Sequence, residues 1–318
     1  MHISRRYNRY SEYLDDINCA VTHEADDFID ACEQSYRKSI CDIAQEIVTY
    51  GHASLLLLAG PSASGKTTTG LILMEELSKL GIHAKMVSMD DFFYGRGIAP
   101  KLPDGRFDYE AIGAMDVDLL QECLLTLINE GECMFPMFDF SVGKPFAEQR
   151  HVELHKDELL IVEGIHALNP LISQNLPQDK LLKLYISVKQ GVKWQEGTLL
   201  SHLDIRLMRR LVRDYKFRNS SSEFTFGLWD QVCVGERTNI QPFKREADIV
   251  INSIHMYEPC VIGAQVAPLL EVIKPDSKYY PKAQQLLAHL KLFKPLTEAV
   301  VPKNSLLREF LGGSMYHE

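Results

Sequence analysis

The residues Gly60-Pro-Ser-Ala-Ser-Gly65-Lys66-Thr67 fit the spacing G-x-x-x-x-G-K-[ST], whose chemistry is the binding of phosphate groups. Glycines at the two ends let the backbone fold tightly enough to turn its N–H groups inward. A helix starting near Gly65 would add the positive end of its dipole. Gly60, Ser62, Ala63, Ser64, Gly65, Lys66, Thr67 and Thr68 are then the residues that meet a nucleotide. Lys66 would reach the β- and γ-phosphates, and the Thr67 hydroxyl would hold Mg²⁺.

Acidic residues stand where such a loop could use them. Asp90 and Asp91 follow an apolar run ending at Ser88 and precede Phe92-Phe93. A carboxylate there can take a proton from a substrate hydroxyl and face the metal, and Asp90 is the candidate for both. Glu163 closes the run Leu159-Leu-Ile-Val-Glu163, a place for a second group that orients Mg²⁺. Further on, Arg206, Arg209, Arg210 and Arg213 fall in one stripe at about 100° per residue, with Leu207, Met208, Leu211 and Val212 opposite. This predicts a lid whose arginines clamp polyphosphate and stabilise the transferred charge. Two segments stay open between site and ordinary loop or core. One is Gly105-Arg-Phe-Asp108-Tyr-Glu110, a carboxylate among aromatics suited to gripping vicinal hydroxyls; the other is Phe138-Asp139-Phe140.

The elements that must position these groups follow from periodicity. Apolar runs at Leu55–Ala59, Ala84–Ser88, Leu159–Glu163, Leu181–Val188 and Ala247–Asn252 alternate with helical patterns. Such alternation predicts an α/β fold, a phosphate-loop NTPase-type parallel sheet with helices on both faces and ligands at the carboxyl ends of the strands. Cys133–Phe140 and Gln149–Leu154 flank a turn at 141–145 and predict an inserted β-hairpin. Asp116 is placed to cap the helix that follows it. Ile40, Ile43, Ala44, Ile47 and Val48 recur at helical spacing, so residues 1–50 predict a helical N-terminal extension. Leu269–Ile273 and Pro281–Phe293 predict a mainly helical C-terminal extension over 256–318, packed on the central domain of 51–255.

Composition narrows the class. The 318 residues carry a net charge of -9, which speaks against a general nucleic-acid binder. Seven cysteines, an odd number with no C-x-x-C pair, suit reduced thiols better than disulfides or zinc. The start, Met1-His-Ile-Ser-Arg-Arg6, lacks the apolar stretch of a signal peptide, and no run nears the ~20 apolar residues of a membrane span. These features predict a cytoplasmic protein with no membrane and no nucleic-acid partner.

The ordered set Gly60-Pro-Ser-Ala-Ser-Gly-Lys-Thr-Thr68, Ser88-Met-Asp-Asp-Phe-Phe93, Phe138-Asp-Phe140, Val162-Glu-Gly-Ile165 and Asp204-Ile-Arg-Leu-Met-Arg-Arg-Leu-Val-Arg-Asp214 resembles the uridine kinase and phosphoribulokinase group of phosphate-loop kinases, over roughly residues 52–255. Gly235-Glu-Arg-Thr-Asn-Ile-Gln-Pro-Phe243, Ala247–Ser253 and Asn304–Ser314 resemble a bacterial uridine kinase-like subgroup related to nucleoside kinases fused to part of threonyl-tRNA synthetase. The resemblance implies transfer of the ATP γ-phosphoryl group to the 5′-hydroxyl of a ribonucleoside, with ATP and Mg²⁺ required. Asp90 would be the base, Lys66 and Thr67 the phosphate and metal ligands, and Arg206, Arg209 and Arg213 the lid. Asp108, Phe138 and Arg218 would lie on the substrate side. Assembly into a homo-oligomer is also implied. Phe138 stands where uridine kinases carry a tyrosine, and Gly143 where they carry a histidine, so two groups that would read the base are replaced. A different small hydroxyl acceptor, such as a sugar phosphate or cofactor precursor, and a catalytically weak ATP-binding regulator are the other readings.

Overall fold

The computed structural model describes residues 12–51, 53–139 and 142–316. Phe140, Ser141 and the segment Met1-His-Ile-Ser-Arg-Arg6 lie outside them. The chain opens with α1 (Leu14–His23) and the long α2 (Ala25–Tyr50), then enters β1 (Leu55–Ala59), the phosphate loop and α3 (Lys66–Lys79). β2 (Ala84–Ser88), α4 (Val117–Glu130) and four short strands follow: β3 (Glu132–Phe135), β4 (Phe138–Asp139), β5 (Lys144–Pro145) and β6 (Arg150–Glu153). Next come β7 (Leu159–Gly164), α5 (Pro170–Ser173), β8 (Leu181–Ser187), β9 (Val192–Trp194) and β10 (Gly197–Leu200). The rest comprises α6 (His202–Arg218), α7 (Ser222–Gly235), β11 (Ile249–Asn252), α8 (Glu258–Glu271), α9 (Tyr280–Leu290) and α10 (Arg308–Leu311).

The five long-range strands form one parallel sheet in the order β11-β8-β1-β7-β2. Its register matters for chemistry. Ala59 pairs with Gly164 and Ser88 with Glu163, so the ends of β1, β7 and β2 are level. The groups that follow them, the loop at 60–67, Asp90 and Glu163, therefore share one edge of the sheet, as the rule for parallel sheets predicts. The expected hairpin is present but broken into two short ladders, β3 with β6 and β4 with β5. Pro136, lacking an N–H, sits at the break, and the Phe138 amide donates instead to the Asp91 carboxylate at 3.1 Å. Asp116 does cap α4, accepting from the Leu119 amide at 3.0 Å.

Both faces of the sheet are covered. Strand residues point alternately to either side, so Leu56, Leu58, Ile161, Leu184 and Ile186 enter one core while Leu55, Leu57, Val162 and Tyr185 enter another with α4. The first core runs from Leu14 and Ile17 of α1 through α2, α6 and α8 to Leu306, Leu307 and Phe310. The N- and C-terminal segments are thus joined to the central sheet by shared apolar packing. Helix α8 begins at Glu258, well before the expected Leu269, because Pro259 occupies its first turn, where the missing N–H is harmless. Among the described residues, no helix is long and apolar enough to cross a membrane.

Phe310 is fully buried, so Phe310→Ala should remove about 3–5 kcal/mol of stability. Urea unfolding followed by circular dichroism measures it; a loss below about 1 kcal/mol would mean the C-terminal segment is not part of the core.

Candidate active site

The phosphate loop takes the backbone its sequence implies. Gly65 has φ +89° and Ala63 φ +59°, two left-handed residues that curl the chain before α3 begins at Lys66. Turning the amides inward forces the carbonyls outward, and these must find donors. Helix α6 supplies them. Arg206 Nε donates to the Ser62 carbonyl at 2.9 Å, Arg209 Nη1 to the Ala63 carbonyl at 3.3 Å, and Arg210 Nη1 to the Ser62 hydroxyl at 3.0 Å.

This corrects the expected lid. Arg206 and Arg209 are wholly buried, and each is neutralised by a carboxylate: Arg206 by Glu236 at 2.6 Å, Arg209 by Glu258 in a two-point pair at 2.7 and 2.8 Å. The apolar residues around them are buried as well, because α6 lies between the loop, α7 and α8 and not on the surface. Both arginines brace the loop from behind. Arg213, paired with Asp214, and the more exposed Arg218 beyond it are the ones whose charge acts on Asp90.

The carboxylates gather opposite. Burial raises the Asp90 carboxyl above its usual range against the pull of Lys66, Arg218 and Arg213. Burial likewise pushes Glu163 up to about 7, opposed by Lys66 and reinforced by Asp90 and Glu309. Glu163 Oε1 accepts from the Ser88 hydroxyl at 3.2 Å, while its Oε2 is buried without a partner among the described residues. A buried carboxylate oxygen without a donor is costly, and a cation beside it would relieve that. The oxygens of Thr67, Asp90 and Glu163 form the hard donor set that suits Mg²⁺.

Residues 55–258 match the model of the Phosphoribulokinase / Uridine kinase family. The chain belongs to that family. It is 29% identical to a uridine kinase of Bacillus pumilus over 195 residues, 61% of this chain and 83% of that protein. It is 28% identical to a uridine kinase of Staphylococcus haemolyticus over 201 residues, 63% and 87% of the two. Among solved structures it is similar to a Bacillus stearothermophilus protein described as a possible uridine kinase. That match has a TM-score of 0.45 at 20% identity, over 68% of this chain and 98% of the other.

The loop at 105–110 places its two carboxylates differently. Asp108 spends its Oδ1 on the amide of Glu110, at 3.1 Å, within its own turn. Glu110 feels the charges of Arg210, Asp90, Lys66 and Asp108, and burial pushes it up to about 7. Its place is made by a distant segment. A side chain at Gly235 would come within 2.4 Å of the Glu110 Cβ, and the Asn239 amide donates to the Glu110 carbonyl at 2.9 Å. Both residues belong to the 235–243 stretch that carried the subgroup resemblance, at a wide helical turn of the kind that often marks functional sites. Phe138 packs edge-on against Phe93, with ring centroids 6.0 Å apart, and its amide is tied to Asp91, so the hairpin is anchored beside the Asp90 turn. His166, buried just past β7 with neither ring nitrogen partnered among the described residues, was not singled out from sequence; a lone histidine after a strand gives no signal.

Two outcomes follow. Glu258→Ala leaves Arg209 buried without a counter-charge and should cost roughly 3–5 kcal/mol in urea unfolding. The double variant Arg209→Leu/Glu258→Leu should regain much of that while still failing to bind nucleotide, because the Ala63 carbonyl loses its donor. Burial pulls the His166 ring down to about 4, so the unfolded chain takes up a proton that the folded one refuses as pH falls below about 6.5. Wild type should therefore lose roughly 2 kcal/mol relative to His166→Leu between pH 7 and pH 4.5. Parallel stability curves for the two proteins would refute a buried neutral histidine.

Proposed function

We propose that this family member transfers the γ-phosphoryl group of ATP to the 5′-hydroxyl of a ribonucleoside-type acceptor. The observation that carries the reading is the shared edge of the sheet. Lys66 of a braced phosphate loop, Asp90 and the half-satisfied Glu163 meet there, with Glu110 facing the same space. Similarity to uridine kinases supports the acceptor class.

In this reading the amides of the loop and the Lys66 ammonium hold the phosphates of ATP, and catalysis is mainly positioning and charge neutralisation. Thr67, Asp90 and Glu163 would hold Mg²⁺, which when bound neutralises charge on the β- and γ-phosphates. Asp90 orients the attacking hydroxyl and takes its proton as the new O–P bond forms and the bond from the γ-phosphorus to the departing ADP breaks. Arg213 and Arg218 offset negative charge on the transferring group. Glu110 accepts hydrogen bonds from acceptor hydroxyls, the role first expected of Asp108. Phe138 supplies an apolar wall for the acceptor.

A second reading, a phosphorylated or otherwise acidic small alcohol as acceptor, has one observation in its favour. Arg150 lies 3.6 Å from Asp91, next to the acceptor side, and exposed Lys144 lies on the same hairpin. A catalytically weak ATP-binding regulator would have little use for Asp90, Glu163 and Lys66 together.

The test is ADP release from Mg·ATP across ribonucleosides, deoxynucleosides and sugar phosphates. A ribonucleoside should stimulate turnover, and Asp90→Asn should lower kcat by about 10²–10⁴ while ATP still binds. Stimulation only by sugar phosphates would move the acceptor to the second reading. No stimulation by any member, with Asp90→Asn equal to wild type, would remove the kinase assignment.

A further inference from the structure

The C-terminal segment lies outside the residues matched by the family model, yet it is built into the phosphate loop. Leu306 packs so closely on Gly65 that a side chain there would come within 2.4 Å of its Cδ1, and the Phe310 ring lies 5.1 Å from the Arg209 guanidinium. Glu309 accepts from the Thr68 amide at 3.3 Å and from the Thr68 hydroxyl at 2.9 Å. Between this segment and the first turns of α3 is a cavity of about 400 Å³. Thr67, Thr68 and Leu71 of α3 line it together with Phe217 at the end of α6. That volume is in the range of small-molecule sites.

We propose that residues 305–316 complete the donor site, and that this cavity takes the base and sugar of the nucleoside triphosphate whose phosphates lie on the loop. The proposal rests on the reading of the loop as an ATP site. A polyphosphate chain with its reacting end toward Asp90 and Glu163 must leave the loop at its other end, and the cavity is lined by Thr68 and Leu71, further along α3 than the metal-side Thr67. Charge selects what enters. The Glu309 carboxylate takes both the amide and the hydroxyl of Thr68, so Thr68, expected among the phosphate contacts, lies instead beside a negative wall that favours O–H and N–H donors, the groups that a sugar and an aminated base present. Phe217 offers an aromatic face. Gly312, at φ +88°, keeps it open, since a side chain there would meet the Phe217 ring at 3.0 Å.

The segment is held ready for this. Tyr316 donates to Glu75 on α3 and receives from Arg37 on α2, both at 2.7 Å. Lys216 of α6 donates to the Leu311 carbonyl at 3.0 Å, and Arg308 ties back to the carbonyls of Gly312 and Glu298. A wall fixed on three helices loses little freedom when a ligand arrives.

Calorimetric titration of the full chain with Mg·ADP and with Mg·tripolyphosphate separates the two halves of the site. Wild type should bind ADP the more tightly. Leu71→Trp, which fills the cavity, should weaken ADP about tenfold or more while tripolyphosphate changes less than about threefold, and Phe217→Ala should weaken ADP roughly fivefold with tripolyphosphate unchanged. If tripolyphosphate binding is also lost in Leu71→Trp, Phe217→Ala decides. ADP weakened no more than tripolyphosphate in Phe217→Ala, or wild type binding the two alike, overturns the proposal and leaves the kinase reading standing. Wild type binding neither overturns both.

Discussion

The site depends on where the carbonyls of one loop are sent. A phosphate cradle needs its amides turned inward, and the peptide plane then turns the carbonyls toward the protein interior, where each must be satisfied. Arg206 and Arg209 satisfy the carbonyls of Ser62 and Ala63, and Glu236 and Glu258 in turn satisfy the arginines. Breaking such a chain of buried charges at any link leaves an unpaired ion in a poorly polarisable interior, so its members hold one another in place. The arrangement also fixes α6, α7 and α8 relative to the loop, since each contributes to it or flanks it.

Much of the chemistry was legible because it is local. The strand, loop and helix from Leu55 to Lys79, the carboxylates that follow β2 and β7, and the parallel sheet that aligns them all follow from runs of a few residues. Arg206 and Arg209 were misplaced for a definite reason. A helical wheel separates charged from apolar residues but cannot tell an exposed cation from one buried against a carboxylate many residues away. Glu236 lies 30 residues from Arg206 and Glu258 49 from Arg209. Glu110 was visible as an acidic residue in an aromatic loop, but its packing against Gly235 and Asn239 is brought about only by the tertiary fold. The hairpin was legible as a hairpin; that Pro136 would split it was not read.

The donor and acceptor sides are built on different principles. On the side proposed for the donor, loop, arginines and C-terminal segment interlock through buried contacts. The acceptor side draws on the turn at 104–114 and a two-part hairpin anchored through the Asp91 carboxylate, elements with exposed residues and few core contacts. Surface loops of this kind accept sequence change readily, whereas a buried ionic network does not. Under the proposed function, this architecture would hold phosphate handling constant while leaving the alcohol it serves free to vary.

The contact of Leu306 and Phe310 with the loop also has a bearing on how the protein comes into being. Domains form from the N-terminus as the ribosome extends the chain. Here Glu309 meets Thr68 across 241 residues, so the loop at 60–67 and its strand emerge long before the segment that packs over them. During that interval the nascent sheet would carry an apolar gap where Leu306, Leu307 and Phe310 belong. Packing of residues 306–310 on the loop can therefore be completed only after the chain through Phe310 has emerged.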